Sequence, residues 1–269
     1  MNEPSDPAAT DVKTCCAAAY GSEAARFLLG DSFHPGGTEL TLELAGMLDL
    51  HPGSSVIDVA SGTGASAFAV AEQFGCRVTG IDLSASNVAD ANAEAERRGF
   101  AARVTFVAGD AERLPVAPAA FDAVLCECAF CTFPDKPRAA AEFARVLKPG
   151  GRVGMSDLTR VTAPLPELDG LLAWIACIGD ARPVEQYAAW LAEAGFAIVA
   201  ETARDECLQQ MVDAVQGRLL LADVMIGLRK ITLPGLDLQQ AKTFASATRR
   251  AVRDKQLGYA VLVAELRPR

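Results

Sequence analysis

Between residues 54 and 203 the chain alternates short, nearly continuous apolar runs with longer segments of helical period, and this alternation leaves few folds open. The runs are SSVIDVA at 54–60, CRVTGIDLS at 76–84, ARVTFVAGD at 102–110, FDAVLCEC at 121–128, RVGMSDLT at 152–159 and AIVAETA at 197–203, with GYAVLVAELR at 258–267 as a seventh. Between them lie GASAFAVAEQFG, NVADANAEAERRG, AAAEFARVLKPGG and VEQYAAWLAEAGF, which have the length and spacing of helices. Strands that lack a polar alternation are buried on both faces. The pattern predicts a doubly wound α/β domain with a mainly parallel, seven-stranded sheet, and function at the carboxyl ends of its strands.

Around that core, residues 1–50 read as an N-terminal arm followed by two helical patterns, EAARFLLG and TELTLELAGMLDL, joined by DSFHPGG. The core spans 51–203. Residues 204–257 carry two more helical patterns split by ITLPGLD, read as a helical insertion near the substrate end, and 258–269 return as the last strand of the sheet. A net charge of -9 argues against nucleic acid as a partner. No apolar run approaches the roughly 18 residues of a membrane span. The opening MNEPSDPAATDVKT has no basic and apolar leader pattern, so a cytoplasmic location is expected. In that setting the eight cysteines read as thiols or ligands rather than a disulfide framework.

Asp58 through Gly64 spell DVASGTG, at the end of one predicted strand and the start of a helix. Glycines at 62 and 64 permit a tight turn and close backbone approach to a ligand, and Asp82 closes the next strand 24 residues after Asp58. In GIDLS, Asp82 stands where a carboxylate accepts from both hydroxyls of a ribose; in GDAERLP, Asp110 and Glu112 stand where an adenine would lie. A bare strand-to-helix turn would leave those acids unexplained. A nicotinamide dehydrogenase is the competing nucleotide reading, but counting from Gly62 and Gly64 puts Ala67 at the third glycine position and gives GDAERLP no role.

The run VIDVASGTG, VTGIDLS, VTFVAGDAERLP, FDAV and RVLKPGGRVGMSD follows the motif order of class I S-adenosylmethionine-dependent methyltransferases, and residues 54–157 resemble that family. The resemblance implies a Rossmann-like fold with S-adenosylmethionine as cofactor. It makes Asp58, Ala60, Ser61, Gly62 and Gly64 the methionine-side loop, Asp82 and Leu83 the ribose and adenine strand, and Asp110 with Ala111 the adenine edge. Cys126, at the end of the fourth strand, is expected beside the cofactor or in the core, and is counted here with the cofactor residues. Ala60 departs from the family, which usually has glycine there.

The segment CECAFCTFPDK (126–136) would then touch the methyl acceptor. A cysteine ending a buried strand is first of all a small hydrophobe. The spacing CxCxxC without a second paired cluster does not make a structural zinc site, and no resident metal is expected. A site for a soft, polarizable acceptor instead needs sulfurs from separate segments, and Cys15, Cys16 and Cys177 offer them. CAFCTFPDK, RVLKPGGRVGMSD and ACIGDARPVEQY together resemble the corresponding segments of arsenite methyltransferases. By that similarity Cys128 and Cys177 match arsenic-binding cysteines, and the CC pair supplies a third sulfur, Cys16. The departures are Glu127 where that family tends to have Asn, Asp180 where it has Gly, and a tyrosine-glycine segment that follows the paired cysteines instead of preceding them. The implied reaction is methyl transfer to a thiolate-bound metalloid such as trivalent arsenic, with a thiol reductant. Two alternatives stand beside it. One is methylation of an oxygen, nitrogen or carbon of a small organic metabolite, with His34, Glu127 and Tyr20 as candidate bases. The other is a non-catalytic metalloid sensor, against which the intact acids at 58, 82 and 110 count.

Overall fold

The computed structural model describes residues 20, 23–30, 33–161, 165–233 and 236–268. Helices α1 (Glu23–Leu29) and α2 (Gly37–Gly46) lead into β1 (Ser55–Val59). There follow α3 (Ala65–Phe74), β2 (Arg77–Asp82), α4 (Ala85–Arg97), β3 (Val104–Ala108), β4 (Phe121–Glu127), a 3-10 turn at Phe130–Thr132, α5 (Lys136–Val146) and β5 (Leu147–Arg160). The chain closes with α6 (Leu171–Ile175), α7 (Val184–Glu193), β6 (Phe196–Ala203), α8 (Asp205–Gly227), α9 (Leu238–Arg253) and β7 (Leu257–Leu266).

The seven strands form one sheet in the order β3-β2-β1-β4-β5-β7-β6. Pairings from β3 across to β5 are parallel, and β7 runs antiparallel to both β5 and β6. This is the mainly parallel sheet that the unbroken apolar runs predict. From β1 the chain winds outward to β2 and β3, then returns to the other side of β1 as β4. The strand order therefore reverses between β1 and β4, and a crevice opens at their carboxyl ends. Asp58 is in register with Leu125, so the turn after Val59 and the turn after Glu127 face one another across that crevice. Ile57, Val59, Leu125 and Met155 are fully buried beneath it. Each such side chain contributes about 1.5–3 kcal/mol on burial, which holds the floor of the crevice rigid.

Local chemistry sets the helix starts. Ser84 caps α4 by accepting from Asn87 N, Asp135 caps α5 from Arg138 N with Pro137 in the first turn, and Asp237 caps α9 from Gln240 N. Gly64 begins α3 without a side-chain cap, at φ 87°. A Cβ there would stand 2.4 Å from the Phe106 ring, so glycine is required both by conformation and by space. Gly64→Ala is expected to cost roughly 2–4 kcal/mol, seen as a fall in Tm; an unchanged Tm would contradict this packing.

Helix α8 packs against α9, α1 and β7, and the Arg218 guanidinium donates to the Leu28 carbonyl at 2.7 Å. Among the described residues, none of α8 or α9 lines the cavity at the crevice, although α8 packs on the N-terminal helix beside it. The helical pattern of 204–257 reveals its amphipathic faces but not which neighbour covers them. No helix among the described residues is long and apolar enough to cross a membrane.

Candidate active site

The cavity at the switch point is lined by Asp58, Ala60, Ser61 and Gly62 from the turn after β1, by Asp82 and Leu83 at the end of β2, by Asp110 and Ala111 after β3, and by Glu127 and Cys128 after β4. Three expected site residues lie elsewhere. Gly64 shapes the turn from below, as the residue that caps the start of α3. Cys126 is fully buried, in register with Met155, and does not line the cavity. Alternation along β4 turns it into the core, which corrects the expectation that it sits beside the cofactor. Glu112 is drawn away because its carboxylate accepts from Asp135 N at 2.9 Å.

Asp82 organises the β1 turn. Its Oδ2 accepts from Gly62 N at 2.8 Å and its Oδ1 from Ser84 N at 2.8 Å. Burial raises the pKa of this carboxyl, and those two N–H donors oppose the rise. Burial first, and then the charge of Glu127, push Asp58 well above the carboxylate range. Asp58 Oδ2, Ser61 Oγ and Asn87 Oδ1 are buried with no hydrogen-bond partner among the described residues, and all three residues line the cavity. An orphaned buried polar atom costs about 1–3 kcal/mol, so three around one cavity mark the seat of a polar ligand.

Ala60 adopts φ 61°, in the left-handed region that favours glycine. The methyl group noted in the sequence is therefore a source of strain. Ala60→Gly is expected to stabilise the protein by roughly 0.5–1 kcal/mol after the entropic cost of glycine, read as a rise in Tm; a fall would contradict it.

A polar wall faces this turn. The Glu127 carboxylate accepts from Ser66 Oγ at 2.6 Å and from Thr41 Oγ1 at 3.0 Å, with His34 Nε2 3.6 Å from Glu127 Oε2. His34, Ser66 and Glu127 line the cavity, while Thr41 is buried behind them. His34 and Glu127 are legible in the sequence as candidate bases. Ser66, Thr41 and Asn87 are not, since single hydroxyls or amides on helices carry no distinguishing signal.

Cys128 lines the cavity, whereas Cys177 does not line it and is buried against the Cys128 backbone. The Cys177 thiol donates to the Cys128 carbonyl at 3.1 Å and lies 3.2 Å from Tyr20 Oη, which donates to the Ile175 carbonyl at 2.6 Å. Hydrogen bonds from Cys128 and then Cys131 hold the Cys177 thiol well below its ordinary pKa, against burial. The Cys128 carbonyl favours the protonated thiol and tempers that shift, but the two thiol donors set its direction. The bond to Cys177 first and burial second raise Cys128, while burial first raises Cys131. Nearby Asp157 is pushed up to about 7, by burial and then by the charge of Cys177. Both Cys128 (φ 50°) and Cys177 (φ 61°) occupy the left-handed region. Such non-glycine residues store about 1–3 kcal/mol each and cluster at functional sites. Among the described residues no trio of His, Cys, Asp or Glu is disposed to hold a metal ion. Cys16 lies outside the described residues.

A doubly wound sheet with acids and orphaned polar atoms at its switch point defines an enzyme of the class that seats a nucleoside-bearing cofactor there. Residues 57–155 match a family model described as a methyltransferase domain. The chain is 31% identical to the 27-O-demethylrifamycin SV methyltransferase of Amycolatopsis mediterranei (strain S699), over 84% of this chain and 82% of that protein. It is 34% identical to the arsenite methyltransferase of Halobacterium salinarum, over 60% of this chain and 42% of that protein. With phosphoethanolamine N-methyltransferase 3 of Arabidopsis thaliana it shares 33% identity over 70% of this chain and 39% of that protein. The chain thus spans less than half the length of the last two relatives. Among solved structures, the cyclase SpnF superposes with a TM-score of 0.80 at 24% identity over all of both chains. The cyclopropane synthase MmaA2 from Mycobacterium tuberculosis gives 0.81 at 15% identity over 98% of this chain and 100% of that one. The chain belongs to the class I S-adenosylmethionine-dependent methyltransferases. It is a methyltransferase, and S-adenosylmethionine is its methyl donor.

The residues present fit that cofactor. Acidic side chains at 58, 82 and 110 could accept from its amino and hydroxyl groups, the orphaned atoms of Ser61 and Asn87 could pair with its polar groups, and Leu83, 44% exposed, offers an apolar face to a flat ring.

Proposed function

We propose that the enzyme holds S-adenosylmethionine through Asp58, Ser61, Gly62, Asp82, Leu83, Asp110 and Ala111, and methylates a soft acceptor bound by Cys128 and Cys177, a metalloid such as trivalent arsenic. The observation that carries this reading is that Cys177, 49 positions away in the chain, packs directly on Cys128 in the cavity wall, each in strained backbone. Thiolate is the ligating form of cysteine, and the thiols beside Cys177 hold its own thiol below the ordinary pKa. Soft sulfur donors select soft acceptors. In this reading Cys16 is the third sulfur.

When bound, the cofactor supplies an electrophilic sulfonium methyl group. Trivalent arsenic carries its own lone pair, so the chain need only align acceptor and methyl carbon, and no general base is required. Each methylation raises arsenic by two in oxidation state. Two thiols of an external reductant, passing to one disulfide, supply the electrons that reverse it. Similarity to the arsenite methyltransferase of Halobacterium salinarum supports this acceptor.

A second reading, an organic acceptor, is favoured by the wall of His34, Ser66 and Glu127, which could take up the proton of a hydroxyl or amine. The rifamycin relative, similar over most of both chains, is in keeping with it. Formation of S-adenosylhomocysteine on addition of arsenite and glutathione tests the first reading. Turnover confined to hydroxyl-bearing or amine-bearing organic compounds would replace it with the second.

A further inference from the structure

Lys136 opens α5 with only 2% of its side chain exposed, a burial that lysine accepts only when its charge is partnered. Its Nζ donates to the Phe133 carbonyl at 3.0 Å and to the Asp180 carboxylate. The other oxygen of Asp180 takes the Arg182 guanidinium. Arg182 is itself fixed, since its N–H donates to Tyr187 Oη at 2.9 Å and its carbonyl accepts from Arg160 N at 3.1 Å. Asp180 is thus anchored to the end of β5 on one side and pulled by Lys136 on the other. Phe133 and its neighbour Thr132 line the cavity and follow Cys128 in the chain, while Asp180 stands three residues after Cys177. One ammonium group therefore ties the turn after Cys128 to the loop after Cys177.

We propose that the buried Lys136–Asp180 pair is a positioning clamp that holds the Cys177 loop against the Cys128 wall of the cavity. Both cysteines sit at positive φ, and such conformations persist only where their surroundings over-determine them. A buried ion pair is often no more stable than apolar residues of equal volume, so directional contacts, rather than stability, are what this one adds. The inference holds whichever acceptor is methylated, because Cys128, Thr132 and Phe133 line the same cavity.

Dibromobimane, which bridges neighbouring thiols, tests the clamp when reacted with the native full-length protein and followed by peptide mapping. The parent should give the Cys128–Cys177 bridge. Lys136→Met and Asp180→Asn should lower its yield roughly tenfold, and Asp180→Glu should restore part of it, with S-adenosylmethionine affinity within about twofold of the parent. If a single variant fails to fold by circular dichroism, the double variant Lys136→Met with Asp180→Asn, which leaves no unpaired ammonium, should fold and lose the bridge to the same extent. Undiminished bridging in the folded variants overturns the proposal. So does an equal loss of cofactor affinity, which would mark a general loosening. Because the readout is thiol proximity, its failure is distinct from a failure of arsenite turnover.

Discussion

Asp82→Ala is expected to weaken S-adenosylmethionine binding by at least ~100-fold, as measured by calorimetry. The magnitude follows from two duties of one carboxylate. It holds Gly62 N–H and Ser84 N–H, so it sets the turn after β1 and the start of α4, and in the proposed reading it also accepts from the ribose hydroxyls. Truncation removes the ligand contact and releases two buried donors at once. Asp82→Asn, which keeps one acceptor, should show an intermediate loss. Affinity should also fall on acidification. Burial raises the Asp82 pKa, so protonation begins at a higher pH than for an exposed aspartate, and binding weakens as pH drops through that raised value and recovers above it. A loss of less than about tenfold in Asp82→Ala would remove this residue from the proposed cofactor site.

The sheet and its cofactor end are legible in the sequence for a physical reason. Parallel strands buried on both faces must be continuous apolar runs, and the acids at 58, 82 and 110 each stand just where such a run ends. What stays hidden depends on phase and on long-range contacts. Cys126 and Cys128 are two positions apart in an apolar segment, and only the point at which β4 stops separates a core thiol from a cavity thiol. Lys136 and Asp180 lie 44 residues apart, and nothing local announces that each is the other's partner. Ala60 is the reverse case. Its departure from the family's usual glycine is visible in the sequence, and the strain is then found at that residue. The convergence of Cys177 on Cys128 depends on the loop after α6 folding back toward β4, which the resemblance of two cysteine segments suggests and periodicity alone does not.

The second large effect follows from that convergence. If Cys128 and Cys177 hold the acceptor, replacing either sulfur by a serine oxygen exchanges a soft donor for a hard, protonated one with little change in size. Cofactor binding should survive, since the cofactor-side carboxylates and the β1 turn are untouched, and turnover should not. The decisive measurement is the initial rate of S-adenosylhomocysteine formation with arsenite and glutathione in the parent, Cys128→Ser and Cys177→Ser, alongside cofactor affinity in each. Thiol-held methylation predicts turnover in the parent, a loss of roughly 100-fold or more in both variants, and cofactor affinity within about threefold throughout. Undiminished turnover in both variants, or no turnover with arsenite in a parent enzyme that binds S-adenosylmethionine, would contradict it.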